Sequence, residues 1–200
     1  MQVVEAFMKY IELGGYVMPP LVVCTLGLWF GLGYRFSAVQ GRGLPPRRLL
    51  EMALAGELTR PVGILEQGAV IGARLSKDFR GRLDRELEVQ FHPLRVEVGR
   101  FRRLTGAIVG IAPLLGLLGT VSGMIETFDS LGDMTLYSQS GGIAGGISQA
   151  LLTTQFGLAV AIPGLILKGL LDRRQTTIEI QLQELKALIC GEGAKRVHHE

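Results

Sequence analysis

The sequence predicts an all-α membrane protein, with three transmembrane helices carrying long cytoplasmic helical extensions. Three observations lead there. Charged residues are absent from 13–34, 104–125 and 134–167, yet crowd the stretches between. Each run is long enough for helix, since about 20 residues cross a hydrocarbon core of about 30 Å. Glycine is abundant, at 28 of 200 residues, against a usual share of ~7%. It clusters in the same runs, as close helix contact in lipid requires.

Charge placement sets the expected orientation. Residues 35–103 hold 14 Lys or Arg against 8 Asp or Glu, whereas 126–142 hold three acids and no base. Basic excess marks the cytoplasmic side. The N terminus and the second connection are therefore expected outside, with 35–103 and the C terminus inside. The net charge of +3 is too small to invite a nucleic-acid partner.

In chain order, 1–12 reads as a periplasmic interfacial helix, with Val3, Val4, Phe7, Met8, Tyr10 and Ile11 beside Glu5, Lys9 and Glu12. It lacks the basic start and small-residue cleavage site of a secretory signal. The first span, 13–34, carries Pro19 and Pro20 near its outer end, where a missing backbone donor costs least. Trp29, Phe30 and Tyr34 form an inner aromatic belt, closed by Arg35. The cytoplasmic region, 35–103, is helical in pattern. Leu49, Leu50, Met52 and Leu54 precede Gly56 and Pro61, and Ile64, Leu65, Ala69 and Val70 follow. One long helix is expected from a cap at Ser76, with Leu83, Leu87, Phe91, Leu94, Val98 and Phe101 in step, running unbroken into the second span. That span covers 104–128, a short periplasmic loop 129–141, and the third span 142–171. The segment 172–200 is a cytoplasmic helix and tail, whose Ile178, Leu182, Leu185 and Ile189 face the long helix.

No enzyme constellation is present. His92, His198 and His199 do not cluster, no GxxxxGK[ST] loop occurs, and Cys24 and Cys190 have no metal-ligand company. Neither catalysis, a cofactor nor a metal is expected.

The chemistry lies in the few polar side chains inside the spans: Thr105, Thr120 and Ser122, then Ser148, Gln149, Thr153, Thr154 and Gln155. At about 100° per residue, Gly146, Ala150, Thr153, Gly157, Ala161 and Gly164 fall within roughly 80° of one another. Gly106, Gly110, Pro113, Gly116, Thr120 and Gly123 share a face about 140° wide by the same counting. Gly110, Gly116, Gly123, Gly146, Ala150, Gly157 and Ala161 are the expected small packing faces. Thr120, Thr153, Thr154 and Gln149 are the expected pore-lining residues of an ion path. Gln149 stands at the edge of its stripe and Gln155 nearly opposite, where a buried amide needs a partner in another span or subunit. No Asp, Glu, His or Lys lies deep in a span. A proton relay usually includes a group that titrates, so another polypeptide must supply it.

The stretches 111-IAPLLGLLGTVSGMIETF-128 and 142-GIAGGISQALLTTQFGLAVAIPGLIL-167 resemble the two pore-helix motifs of the ExbB/TolQ/MotA family of ion-driven stators. Three spans resemble the ExbB/TolQ branch more than the four-span MotA branch. The resemblance implies a homopentamer in the bacterial inner membrane whose second and third helices line a pore. It also implies a single-span ExbD/TolR-type partner, usually in two copies, that brings the membrane Asp. Proton motive force would become rotation, energising TonB-dependent uptake or Tol-Pal function through a TonB or TolA-like protein. Thr120 and Thr154 fall where the family's pore threonines stand. Two positions depart from the pattern: Gln149 replaces the Glu of many members, and Gln155 replaces a small or apolar residue. The paired hydroxyls of Thr153 and Thr154 keep Na⁺ open as the coupling ion beside H⁺. The rival reading is a non-conducting membrane scaffold.

Overall fold

The computed structural model describes residues 5, 11, 14–41, 43–58, 60–78, 83–132 and 140–197, with backbone alone at 77, 78, 140–142 and 192–197. A 3-10 turn over Gly15–Val17 leads into α1 (Met18–Val39). There follow α2 (Pro46–Ala55), α3 (Ile64–Asp78), α4 (Leu83–Gly99), α5 (Arg102–Gly132) and α6 (Ser140–Val197). Among the described residues there is no strand. Three stretches are long and apolar enough to cross a membrane, within Gly15–Val39, Leu83–Gly132 and Ile143–Gly191. The expected interfacial helix 1–12 lies outside the described residues except for Glu5 and Ile11, and the loop 129–141 lies outside them from 133 to 139.

The chain divides into two compact units: Met1–Leu32 with Arg103–Lys168, and Gly33–Arg102 with Gly169–Glu200. Packing in the first is inverted relative to a water-soluble core. Many of its large apolar side chains point outward, among them Val23, Leu26, Leu114, Leu117, Phe128, Leu151, Leu165 and Ile166, although Leu21, Leu28 and Leu32 of α1 are buried. Its interior instead holds Gly116, Gly119, Gly123, Gly146 and Gly157 with Thr105, Ser122, Thr127 and Thr153. Between helices in lipid no hydrophobic gain rewards burying leucine, so small residues that allow close backbones take the inside.

The second unit is built the other way. Leu49, Leu50, Leu87, Phe91, Leu94, Val98, Leu182, Leu185 and Ile189 form one buried cluster drawn from α2, α4 and α6. Each such side chain stabilises the unit by about 1.5–3 kcal/mol. Helix ends are satisfied locally. Pro46 starts α2 at a position that needs no donor, and Gly56, left-handed at φ 79°, closes it by donating to the Ala53 and Met52 carbonyls. The Glu66 carboxylate, almost wholly buried, accepts from the Val62 backbone N–H at 2.9 Å ahead of α3.

Two polar clusters tie this unit together. Arg35, only 1% exposed, pairs with Asp172 at 2.5 Å and donates to the Gln175 Oε1 at 3.0 Å. Arg102 approaches the same carboxylate at 3.6 Å. Lys186 joins α6 to α4 through Asp84 at 2.9 Å and Glu88 at 2.6 Å, and Arg95 also donates to Glu88. The Lys186 hydrogen bond, and next the Arg95 charge, hold the Glu88 carboxyl below its usual range. Hydrogen bonds to Glu88 and then Asp84 raise the Lys186 ammonium above its own.

The structure corrects the expected unbroken helix from Ser76 into the second span. Ser76 lies inside α3, its hydroxyl donating to the Ala73 carbonyl. A break falls at Arg100 and Phe101, where Phe101 takes φ +61°. That conformation is costly for a bulky residue, and aromatic contacts hold it. The Phe101 ring meets Tyr34 edge-on at 5.1 Å, with Arg100 stacked 5.5 Å from one ring and 5.6 Å from the other. The Tyr34 hydroxyl in turn donates to Glu97.

Replacing Arg35 with Met removes one partner of a buried pair, a loss of about 3–5 kcal/mol, reduced to the extent that Arg102 still serves Asp172. Thermal unfolding in detergent checks this, and a shift no larger than for an exposed arginine contradicts it. The Glu88 pairing contributes stability above the ordinary glutamate pKa of about 4.3 and loses it as pH falls through the depressed folded value. The destabilisation caused by Lys186→Met is therefore expected to shrink between neutral pH and pH 3. Because Glu88 is half exposed, it stays under about 1 kcal/mol.

Candidate functional site

In the first unit α5 and α6 meet along a seam where side chains are missing. A Cβ on Gly123 would sit 2.5 Å from the Gly146 carbonyl oxygen and 2.9 Å from the Ala150 nitrogen. One on Gly157 would sit 2.8 Å from the Ala112 oxygen, and one on Gly116 3.1 Å from the Thr153 oxygen. Gly119 lies directly against the Thr153 side chain. Ala150 and Ala161 are also buried. Farther along α6, a Cβ on Gly164 would meet Leu28 of α1 at 2.7 Å and Val109 at 3.1 Å. Gly110 departs from the expected small face. It is exposed and a Cβ there would meet nothing within 4 Å.

Four threonine hydroxyls along the seam are each satisfied by a carbonyl. Thr127 donates to Gly123 at 2.8 Å, and Thr153 shares its proton between Gln149 and Ala150 at 3.0 Å. Thr120 donates to Leu117 at 2.7 Å. Thr154 alone of these reaches across, with 3.2 Å to the Gly116 oxygen of α5 and 3.2 Å to Ala150 of its own helix.

Burial separates the expected pore residues. Thr153 is fully buried, so it belongs to the packing face and not to an accessible wall. Adjacent helical residues differ by about 100°, which turns Thr154 toward the edge of the seam. Thr154 and Thr120 are each half-buried. The Thr154 acceptor is Gly116, one turn before Thr120 on α5, so the two hydroxyls share a depth. Gln149, 8% exposed, donates to Glu126 Oε1 at 3.2 Å. Gln155 is exposed and borders an open cavity of about 360 Å³ with Met18, Val22, Leu152 and Phe156.

Sequence reasoning left Glu126 at an outer end and did not pair it with Gln149. The signal was available in the antiparallel order of the two helices, which brings the end of one uncharged run beside the start of the next. Arg35 and Asp172 were missed for a different reason, since each reads alone as an ordinary flanking charge.

The sequence model of the MotA/TolQ/ExbB proton channel family matches residues 64–184, including all of α5 and α6 as far as Glu184. The chain belongs to this family. The Synechocystis sp. protein called ExbB-like 3 is 33% identical over 126 residues, covering 62% of this chain and 58% of its own. Biopolymer transport protein ExbB of Pseudomonas putida is 25% identical over 192 residues, 89% of this chain and 58% of its own. Biopolymer transport protein exbB1 of Vibrio cholerae is 40% identical over 93 residues, 44% of this chain and 41% of its own. The chain thus spans less than two thirds of the length of each of these relatives. Family and inverted packing together identify a multi-pass membrane protein.

Neighbouring glycines test the seam. Gly146→Ala forces a methyl against the Gly123 carbonyl and Thr127, and overpacking of this kind costs about 1–3 kcal/mol. Gly145, where a Cβ meets nothing within 4 Å, tolerates Ala or gains up to about 1 kcal/mol from helix propensity. Thermal unfolding of both variants in detergent is the measurement. Equal midpoints would contradict the contact.

Proposed function

We propose that this chain is the channel-forming subunit of an ion-driven stator in a bacterial inner membrane. Five copies would surround a pore walled by α5 and α6, and two single-span helices of a partner protein would occupy it. The partner brings a membrane carboxylate that binds and releases the coupling ion, H⁺ in the first instance. Ion passage then biases rotation and energises a biopolymer-transport process such as TonB-dependent uptake. N-terminal residues lie on the periplasmic side and the C terminus in the cytoplasm.

The observation that carries this reading is the pair of half-buried hydroxyls, Thr120 and Thr154, at one depth of a seam otherwise sealed by glycine. Neither titrates, and the uncharged runs around them contain no Asp, Glu, His, Lys or Arg. Such a wall can stabilise a charged carboxylate by hydrogen bonding and release it on protonation, but cannot relay a proton unaided. Thr153, buried beside them, stiffens the wall. A second reading, in which Na⁺ is the coupling ion, draws on the same hydroxyls, since oxygen ligands also suit a hard cation.

Co-reconstitution with the single-span partner in liposomes tests the proposal by ion flux under an imposed gradient. Thr154→Val should lower flux about tenfold or more, the loss of a hydrogen bond to a charged group being about 1.5–3 kcal/mol. Thr154→Ser should keep most of it, and the subunit assembly should survive both changes. Unaltered flux in Thr154→Val removes that residue from the path, and absence of flux in the unmodified complex favours the scaffold reading.

A further inference from the structure

Glu126 is the first ionisable residue after the uncharged run of α5, and α6 offers none between 143 and 167. Its carboxylate is exposed but not loose. The Gln149 amide, itself 8% exposed, donates to Oε1 at 3.2 Å. The Gly15 backbone packs closely against that amide, since a Cβ at Gly15 would overlap Gln149 Nε2. Gly15 carries φ +63°, a conformation glycine adopts without strain. The Gln149 amide of α6 thus touches two other elements, the 3-10 turn at Gly15 and α5 at Glu126.

Gln149 sits one turn before Thr153 and Thr154 on α6, and Glu126 lies six residues past Thr120 on α5. The pair therefore stands at the end of the hydroxyl seam nearest Gly132 and Ser140. A neutral amide engages one carboxylate oxygen without cancelling its charge, which leaves the other oxygen for a cation. We infer that Glu126, positioned by Gln149, is the entry carboxylate of the ion path, concentrating the coupling cation at the mouth of the hydroxyl seam. This rests on the stator reading and adds to it a residue that acts on capture. At this end of the seam Asp129 on α5 and Tyr16 on the 3-10 turn are the other titratable groups among the described residues, and Gln149 donates to neither.

The test is flux through the full complex with its single-span partner, measured against outside ion concentration, by stepping pH for H⁺ and salt for Na⁺. Glu126→Gln should raise the half-saturating concentration about tenfold, by more than it lowers maximum flux. Gln149→Leu should shift it in the same direction by less, and the two changes together should equal Glu126→Gln alone. Glu126→Gln with Gln149→Glu moves the carboxylate across the pair and should return half-saturation toward its original value. Unchanged half-saturation in Glu126→Gln, or strictly additive effects of the two single changes, overturns this inference while leaving the stator reading in place. An unmodified complex that conducts neither ion overturns both.

Discussion

The backbone-to-backbone approach of α5 and α6 is the constraint on which the candidate site depends. At Gly123 and Gly146 even a methyl group would collide with the opposing chain. That closeness turns Thr154 into a cross-helix bond, because its hydroxyl can reach the Gly116 carbonyl without a long side chain. It also lets Gln149 reach Glu126. Larger residues would hold the helices apart and leave each hydroxyl to its own helix.

The two units solve opposite solvent problems with one chain. Where the surroundings are apolar, most leucines and Phe128 of α5 and α6 face out and the seam between those helices is glycine, threonine and alanine. Where they are aqueous, leucine and phenylalanine go inside and charged residues cover them. Both patterns follow from one rule, that each surface matches what it touches. Arg35 and Glu66 are exceptions that the second unit accommodates, Arg35 because Asp172 and Gln175 supply its partners and Glu66 because it accepts from the Val62 N–H.

Chemically, the seam offers hydrogen bonding without titration. The hydroxyls of Thr120, Thr127, Thr153 and Thr154 each have a carbonyl acceptor, which removes the cost of an unpaired donor in lipid yet leaves oxygen lone pairs available. A wall of this kind is fitted to cradle a charge that comes from elsewhere. The carboxylate at Glu126 sits beyond it, where an ion would be met before the seam.

Spans, small faces and the scarcity of buried charge were legible in the sequence because each depends on residue type at a fixed period. The helical stripe through Gly146, Ala150, Gly157 and Ala161 needed only the geometry of one helix. Thr153 could not be separated from Thr154 that way, since which of two adjacent residues is covered depends on where the second helix lies. The turn at Phe101 was invisible for a similar reason: its left-handed backbone is held by Tyr34, remote in sequence. Composition and period alone thus determined the membrane character and the location of the polar groups. Only tertiary contact decided which hydroxyls remain accessible and which carboxylate an amide holds, because those outcomes belong to pairs of helices and no single stretch of chain encodes them.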